Sequence, residues 1–307
     1  MITSVFSKSK PINYIIVFAI TLFAVLLAYI LVVKQPFSAA LFGNFMLRLA
    51  LSYFSILVLN FIVTKNQLSK SNNYQIFLFS LFLLLIPQTT TNVDVLLSNL
   101  FILFGLRRLI SLRSQRNEKS KLFDAGFWFA IAALFYFWAI LFFVVVFAAL
   151  LFYRDNKLRN WIIPFTGVAS VFIITVCVSI VLHNEYLYYF QNLPEISEDF
   201  SSYNTPRFFV GITLLLSYTV WSIIFYLNAI KDKKRDVRPS FYIILITLLV
   251  AIVILFFSPF KNGSEFLFVM APLAIIIAAY LETIKDKWFR EAFVGLLILM
   301  PIVLLFL

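Results

Sequence analysis

The sequence predicts an all-α fold, a polytopic transmembrane helical bundle of about ten to eleven spans that includes a central helical hairpin. Three observations support this prediction. The chain is 63% hydrophobic and only 13% charged, so it has too little polar surface for a water-soluble protein. Several uncharged stretches have about the 20 residues that a helix needs to cross the hydrocarbon core. Twenty-one of the 25 Lys and Arg residues fall into six short clusters, which apolar stretches separate.

The basic clusters predict how the chain is threaded through the membrane. They are residues 8–10, 65–70, 107–121, 154–159, 231–238 and 285–290. Short loops that are rich in Lys and Arg stay cytoplasmic, so we expect all six clusters on that side of a bacterial inner membrane. The amino terminus is then cytoplasmic and the carboxyl terminus periplasmic. The spans outside the central hairpin are 14–33, 46–64, 75–87, 95–112, 161–182, 208–230, 240–257, 267–282 and 291–307.

The central stretch, 125–153, contains 29 residues without a charge. One tilted helix could cover it, but a single crossing would put the basic clusters on either side of it on opposite faces of the membrane. The charges therefore favour a hairpin that goes out over 125–136 and returns over 137–153, with its turn near 135–138. No Gly/Ser-rich linker interrupts the succession of spans, so the whole of 1–307 is predicted to be one membrane domain.

Composition excludes several classes of function. One histidine and one cysteine leave no His/Cys cluster for a metal, and no Gly-x-x-x-x-Gly-Lys-Ser/Thr run is present to cradle nucleotide phosphates, so we expect no metal and no cofactor. A net charge of +11 would suggest nucleic acid in a soluble protein. Here the charge lies at helix ends, where it meets anionic lipid headgroups, so the expected partner is the lipid bilayer and not nucleic acid. Alternatively, the cluster 107–121 holds a lipid phosphate.

Candidate chemistry is concentrated in a few charged residues near the predicted outer surface. Asp94 lies in a polar loop just before the fourth span, and we consider it the candidate catalytic residue because ionisable groups near hydrocarbon are costly and often functional. Its alternative role is to stabilise a helix start, since an acid in the first turn favours the helix dipole. Lys261 and Arg48 lie against the charge bias and are candidates for binding an anionic substrate, with snorkelling to the interface as the alternative for Arg48. Arg207 and Glu265 complete the candidate substrate-binding residues.

Three further segments form a pattern. The first begins at Gly126 and leads through the predicted hairpin to a basic end, the second is the span 161–182 followed by the aromatic stretch 186–190, and the third joins Lys261 to Phe268 and Pro272. Together they resemble the C-type glycosyltransferases, multispan enzymes that use polyprenyl-phosphate sugars. In that family the first segment reads "Gly-hydrophobic-x-Gly-Leu-Ala", and the third carries a Lys that meets the lipid-linked phosphate near the membrane surface. The likeness covers roughly residues 95–285 and is mainly topological.

The resemblance implies a glycosyltransferase with a polyprenyl-phosphate sugar donor, in which Lys261 contacts the phosphate and Asp94 matches an acid of the second external loop. Two positions depart from the family. Its catalytic Asp or Glu lies in the first external loop, but residues 34–44 contain no acid, and its Tyr in the third segment is Phe268 here. Without the first carboxylate, the base that would activate an acceptor hydroxyl is missing, so a non-catalytic relative is the alternative. The Phe-, Ile-, Lys- and Asn-rich composition also looks like multispan proteins of Bacteroidota.

Three functions therefore compete at the level of sequence. The first is a transferase or handler of lipid-linked sugar, with Asp94 as acid or base, Lys261 as phosphate contact, and Arg48 or Arg207 as auxiliary groups. The second is a binding or scaffold subunit of an envelope complex for secretion, motility or glycan assembly, with membrane-protein partners. The third is a secondary transporter, which is less favoured because the later spans have almost no ionisable residues at mid-membrane.

Overall fold

A computed structural model describes residues 2–33, 39–153, 157–191 and 194–305, and the all-α prediction is confirmed over these ranges. The predicted first external loop, 34–44, lies partly outside the described residues, and Arg154 lies outside them. The α-helices are α1 (Ile2–Phe6), α2 (Pro11–Ala28), α3 (Ala39–Lys65), α4 (Tyr74–Leu85), α5 (Val93–Ile110), α6 (Glu118–Phe135), α7 (Phe143–Phe152), α8 (Leu158–His183), α9 (Pro206–Lys231), α10 (Arg238–Phe257), α11 (Leu267–Leu281) and α12 (Lys287–Leu305).

Short 3₁₀ turns occur at the ends of several of these helices. A π-helical turn, Tyr29–Val33, extends α2. The 3₁₀ turns are Pro87–Thr90, Ser111–Ser114, Phe137–Phe142, Tyr188–Phe190, Ser201–Tyr203 and Ser264–Phe266.

Seven helices within the described ranges are long and apolar enough to cross a membrane. They are Pro11–Val32, Leu41–Lys65, Val93–Ser114, Leu158–His183, Pro206–Lys231, Arg238–Phe257 and Ser264–Leu281. Each coincides with one of the predicted spans. The other four predicted spans are also helical, as α4, α6, the segment Phe137–Phe152 and α12. The chain is therefore a multi-pass helical membrane protein, and the crossing of these four segments stays a prediction.

The chain divides into two compact units. Unit 1 comprises Met1–Leu96, Asp199–Lys233 and Lys261–Leu307, and unit 2 comprises Leu97–Glu198 and Lys234–Phe260. Both units are built from segments that are far apart in sequence. The prediction of a single membrane domain over 1–307 stays a prediction.

The predicted central hairpin is present in unit 2. Helix α6 ends at Phe135, and Tyr136 adopts an extended backbone (φ −144°, ψ 102°), after which the chain continues as a 3₁₀ turn into α7. The rings of Phe129 and Phe142 lie 6.2 Å apart across this break, so the chain folds back on itself. Neither Gly nor Pro marks the turn. Instead Trp138, in the 3₁₀ turn Phe137–Phe142, packs 4.9 Å from the ring of Phe257 in α10.

The reversal brings the two flanking basic clusters to one end of unit 2. Helix α7 runs antiparallel to α8, with Phe147 near Trp161 at 6.0 Å between ring centroids. Beyond the returning arm, Lys157 Nζ lies 4.0 Å from Glu118 Oε2 at the start of α6. Residues of the clusters 107–121 and 154–159 are therefore neighbours, as the hairpin predicts.

Helices α6 and α8 approach each other through glycine. A Cβ built at Gly126 would lie 2.2 Å from the carbonyl oxygen of Pro164, and one built at Gly167 would lie 2.4 Å from the carbonyl oxygen of Phe123. Both distances join a side-chain atom to backbone, so only glycine allows this separation. Close approach at small residues is the usual way in which membrane helices gain packing energy, because lipid gives no hydrophobic drive to association.

Unit 1 is organised around two buried helices. The side chains of α4 and α11 are buried on nearly every face, and the two helices contact each other. Helices α2, α3 and α12 also contact α4, and α9 contacts α11. Because nearly every side chain of both helices is buried, α4 and α11 form the core of this unit.

One end of unit 1 carries three more of the basic clusters. Glu282, just after α11, accepts hydrogen bonds from the Lys70 N–H at 2.9 Å, from Asn72 Nδ2 at 2.6 Å and from the Ser69 hydroxyl. Asn73 in turn donates its N–H to the Phe6 carbonyl at 2.9 Å. The clusters 8–10, 65–70 and 285–290 therefore meet at one end, as the charge pattern predicts.

Candidate functional site

The end of unit 1 opposite its basic clusters carries two of the predicted site residues. Helices α9 and α11 run parallel: Tyr203 before α9 lies 5.6 Å from Phe266 before α11, and at the far end Trp221 Nε1 donates to the Tyr280 hydroxyl at 2.7 Å. The loops that precede both helices therefore lie together. We call the residues that meet there the loop cluster. It consists of Phe200, Tyr203, Lys261, Gly263 and Glu265.

Lys261 is buried in the loop cluster, with only 4% of its surface exposed. Its ammonium group lies 4.3 Å from the centroid of the Phe200 ring, a cation–π contact that partly replaces the water it has lost. The exposed Asp199 lies beside it. Hydrogen bonds from Ser201, and secondarily the positive charge of Lys261, hold the pKa of the Asp199 carboxyl below its usual range. A strongly hydrated ammonium is costly to bury without compensating contacts.

Glu265 is fully buried four residues after Lys261. Its two carboxyl oxygens accept the N–H of Gly263 at 3.0 and 3.2 Å, and one also accepts the hydroxyl of Tyr203. Gly263 has a φ of +94°, which L side chains rarely adopt, and a Cβ there would meet the Phe208 ring at 2.2 Å. The glycine is therefore required for the turn that presents its N–H to the carboxyl.

Asp94 lies outside the loop cluster, exposed at the second residue of α5. The cap of that helix is Asn92, whose side-chain oxygen accepts the N–H groups of Asp94 at 2.9 Å and Val95 at 3.3 Å. This geometry matches the helix-dipole role, and the catalytic role stays a prediction. The loop that leads to Asp94 does approach the cluster, because a Cβ on Gly263 would come within 3.2 Å of Gln88 Cβ.

The two predicted arginines lie on other elements. Arg207 Nε donates to the carbonyl of Leu304 at 2.8 Å, where a cation stabilises the carboxyl-terminal end of α12. Arg48 is half-buried in α3, and within the described ranges its Nε is buried without a hydrogen-bond acceptor. Of the five predicted site residues the structure thus brings Lys261 and Glu265 together. The substrate-binding roles of both arginines stay predictions.

Phe200, Tyr203 and Gly263 complete the cluster, and sequence reasoning did not single them out. Asn262-Gly263 is a dipeptide typical of turns and gave a signal for the glycine. Tyr203 reaches Glu265 across 62 residues of sequence, and no local pattern reports a contact of that kind. Among the residues that the structure describes, no group of three or more His, Cys, Asp or Glu side chains is placed to hold a metal ion.

Fold and cluster together define a multi-pass helical membrane protein with a buried ammonium and a buried carboxyl at one end of its first unit. The chain belongs to a family of unknown function, DUF6427, whose family model matches residues 3–307. No curated protein and no solved structure gives a significant match to it.

Proposed function

We propose that the protein binds the phosphate of a lipid-linked sugar at the loop cluster and handles that lipid in envelope glycan or glycoprotein biogenesis, at the outer face of a bacterial inner membrane. The observation that supports this proposal is the burial of Lys261 in a loop at the end of unit 1 opposite its basic clusters. The C-type glycosyltransferases, which the sequence resembles, use a lysine near the membrane surface for the same contact.

The surroundings of Lys261 favour a role in binding phosphate over a role that is limited to orienting the chain in the membrane. An exposed lysine would be an ordinary feature of a loop, and water and salt would screen its attraction for an anion. A buried ammonium lies in a lower dielectric, where its attraction for a phosphate oxygen is several times stronger. The Phe200 ring below the ammonium is 45% exposed and gives the loop an apolar surface. A polyprenyl phosphate offers both a charge and an apolar chain.

The carboxylates divide the remaining roles. Glu265 is fully buried and is held by Tyr203 and Gly263, so it is suited to orienting the loop that carries Lys261. Asp94 is exposed in a neighbouring loop and has the access that an acid or base for an acceptor would need. Arg48 and Arg207 are auxiliary charges in this scheme.

A non-catalytic role is the second candidate. The sequence has no acid in residues 34–44, and Phe268 is a buried side chain without a hydroxyl where the C-type enzymes carry Tyr. Under this alternative the loop cluster still binds the lipid phosphate, and the protein serves as a membrane subunit of an envelope complex.

Binding is tested with purified protein in mild detergent by native mass spectrometry with a polyprenyl phosphate. Lys261→Met removes the charge but keeps the length of the side chain, and we expect it to weaken binding by at least about tenfold, the usual loss for one charge-assisted hydrogen bond. Lys285→Met makes the same change at an exposed position of the basic end and should bind within about twofold of wild type. Equal binding by Lys261→Met and wild type would refute the site.

Catalysis is tested separately, with Asp94→Asn in a transfer assay that uses a polyprenyl-phosphate sugar. Loss of transfer with unchanged lipid binding supports the enzymatic role of Asp94. Binding without transfer by the wild-type protein, together with stoichiometric partners after mild purification, supports the subunit role.

A further inference from the structure

Unit 2 contains a cavity of about 580 Å³ at the end where its basic clusters meet. Three elements form it: the 3₁₀ turn after α5, the end of α7, and the start of α10. The lining residues are Arg113, Gln115, Leu151, Phe152, Tyr153, Arg235, Asp236, Arg238, Pro239 and Tyr242. We call this cavity the basic pocket. Its volume lies within the range of about 300–1,000 Å³ that small-molecule sites occupy.

The charges that line the basic pocket are mostly positive. Three arginines, Arg113, Arg235 and Arg238, face one acid, Asp236, which gives 3 − 1 = +2. Arg113 Nη2 lies 3.4 Å from Asp236 Oδ2, but the Asp236 side chain is 65% exposed. A surface pair of that kind is weak, so the pocket keeps an excess of positive charge.

The start of α10 adds a second attraction for an anion. Arg238 and Pro239 open this 20-residue helix, no side chain caps its first turn, and that turn contains no acid. The Arg238 and Ser240 N–H groups already donate to the carbonyls of Lys234 at 3.3 Å and Val237 at 3.1 Å, so it is the positive end of the helix dipole that favours an anion here. An arginine there is disfavoured by the same dipole, so the arrangement is stabilised when a negative group enters the pocket.

The inner side of the pocket is fixed and partly apolar. The Tyr153 hydroxyl donates to the Ile110 carbonyl at 3.1 Å and lies 3.0 Å from Ser240 Oγ, which joins the ends of α5, α7 and α10. Phe152 stacks on Tyr242 at 5.2 Å. This aromatic wall suits the glycerol and acyl carbons next to a lipid phosphate.

We propose that the basic pocket binds a phosphate group, carried by an anionic phospholipid of the leaflet that faces the basic clusters. The pocket is in unit 2 and shares no residue with the loop cluster of unit 1. Basic pockets between membrane helices on the cytoplasmic side are known to hold phospholipid headgroups. A soluble phosphate compound offers the same chemistry without the acyl chains, and the experiment separates these two sources.

The test is thermal unfolding of purified protein in an uncharged detergent, with titrations of short-chain phosphatidylglycerol, phosphatidylcholine and inorganic phosphate. The double variant Arg235→Gln/Arg238→Gln should lose at least about tenfold in apparent affinity for the anion. The control Arg116→Gln/Lys119→Gln removes the same charge from the same basic end without changing a lining residue, and it should stay within about twofold of wild type.

Stabilisation of the wild type by phosphatidylglycerol alone assigns the site to a lipid headgroup, and stabilisation by inorganic phosphate as well shows that the phosphate itself is sufficient. An equal response of both double variants, or equal stabilisation by phosphatidylcholine, would overturn the proposal, as would the lack of any response in wild type. If the double variant does not purify, Arg235→Gln carries the test, because Arg235 is exposed and its loss leaves the fold intact.

Discussion

Replacing Gly126 by Ala should separate α6 from α8. The added Cβ would lie 2.2 Å from the Pro164 carbonyl oxygen, whereas ordinary contact begins near 3.4 Å, so the helices must move apart by about 3.4 − 2.2 = 1.2 Å. Gly167→Ala requires about 3.4 − 2.4 = 1.0 Å at Phe123. The contact is with backbone, so no rotamer change can relieve it.

The expected cost follows from that movement. A gap of about 0.5–1 Å forfeits a quarter to a half of the dispersion energy at an interface, and overpacking of this kind costs about 1–3 kcal/mol. Alanine recovers up to about 1 kcal/mol of this because it is the better helix former. The net loss for Gly126→Ala is then about 1–2 kcal/mol in the free energy of unfolding.

Equilibrium unfolding of the detergent-solubilised protein, followed by circular dichroism, measures this loss. Gly295→Ala is the matched control, since a Cβ at Gly295 in α12 meets no atom within 4 Å. It should stabilise the protein by about 0.5–1 kcal/mol. If Gly126→Ala is neutral or stabilising like Gly295→Ala, the close packing of α6 and α8 is wrong.

Three further substitutions test individual contacts by the same measurement. Gly263→Ala should cost about 1–3 kcal/mol, because it strains a positive φ and meets the Phe208 ring. Glu282→Gln should cost about 1.5–3 kcal/mol, since it weakens the charge-assisted hydrogen bond from Asn72. A neutral result would show that Glu282 does not hold the loop between α3 and α4. Tyr153→Phe should cost about 1 kcal/mol through its lost hydroxyl, and an unchanged unfolding curve would contradict the hydrogen bonds described.

The positions of the helices could be predicted because membrane thickness imposes a length on every apolar segment. The hairpin over 125–153 could be predicted because the charges on either side of it belong on one face. The identity of the core could not. Spans that face lipid and spans that face protein are equally apolar, so nothing in their composition separates the buried α4 and α11 from the outer helices.

The loop cluster was predictable only in part. The sequence indicates Lys261 because it is a cation in a predicted external turn, where Lys is disfavoured. It indicates Glu265 because few acids lie in the predicted external loops. Their partners Phe200 and Tyr203 are brought near them by the parallel packing of α9 and α11, which no local sequence pattern encodes. The basic pocket follows the same rule: the sequence reports a basic cluster, and only the fold shows which arginines share a cavity with the start of α10.

The orientation of the chain in the membrane determines which side of the membrane the loop cluster and the basic pocket face. Cysteine accessibility in intact cells measures this orientation most directly. The single native thiol, Cys177, is first replaced by Ser. Single cysteines at Arg116, Lys157 and Ser202 are then labelled with a membrane-impermeant maleimide. We expect only Ser202→Cys to react from outside, with the other two reacting after the membrane is opened. Labelling of Arg116→Cys or Lys157→Cys from outside would contradict the assignment of the basic ends to the cytoplasm and of the loop cluster to the outer face.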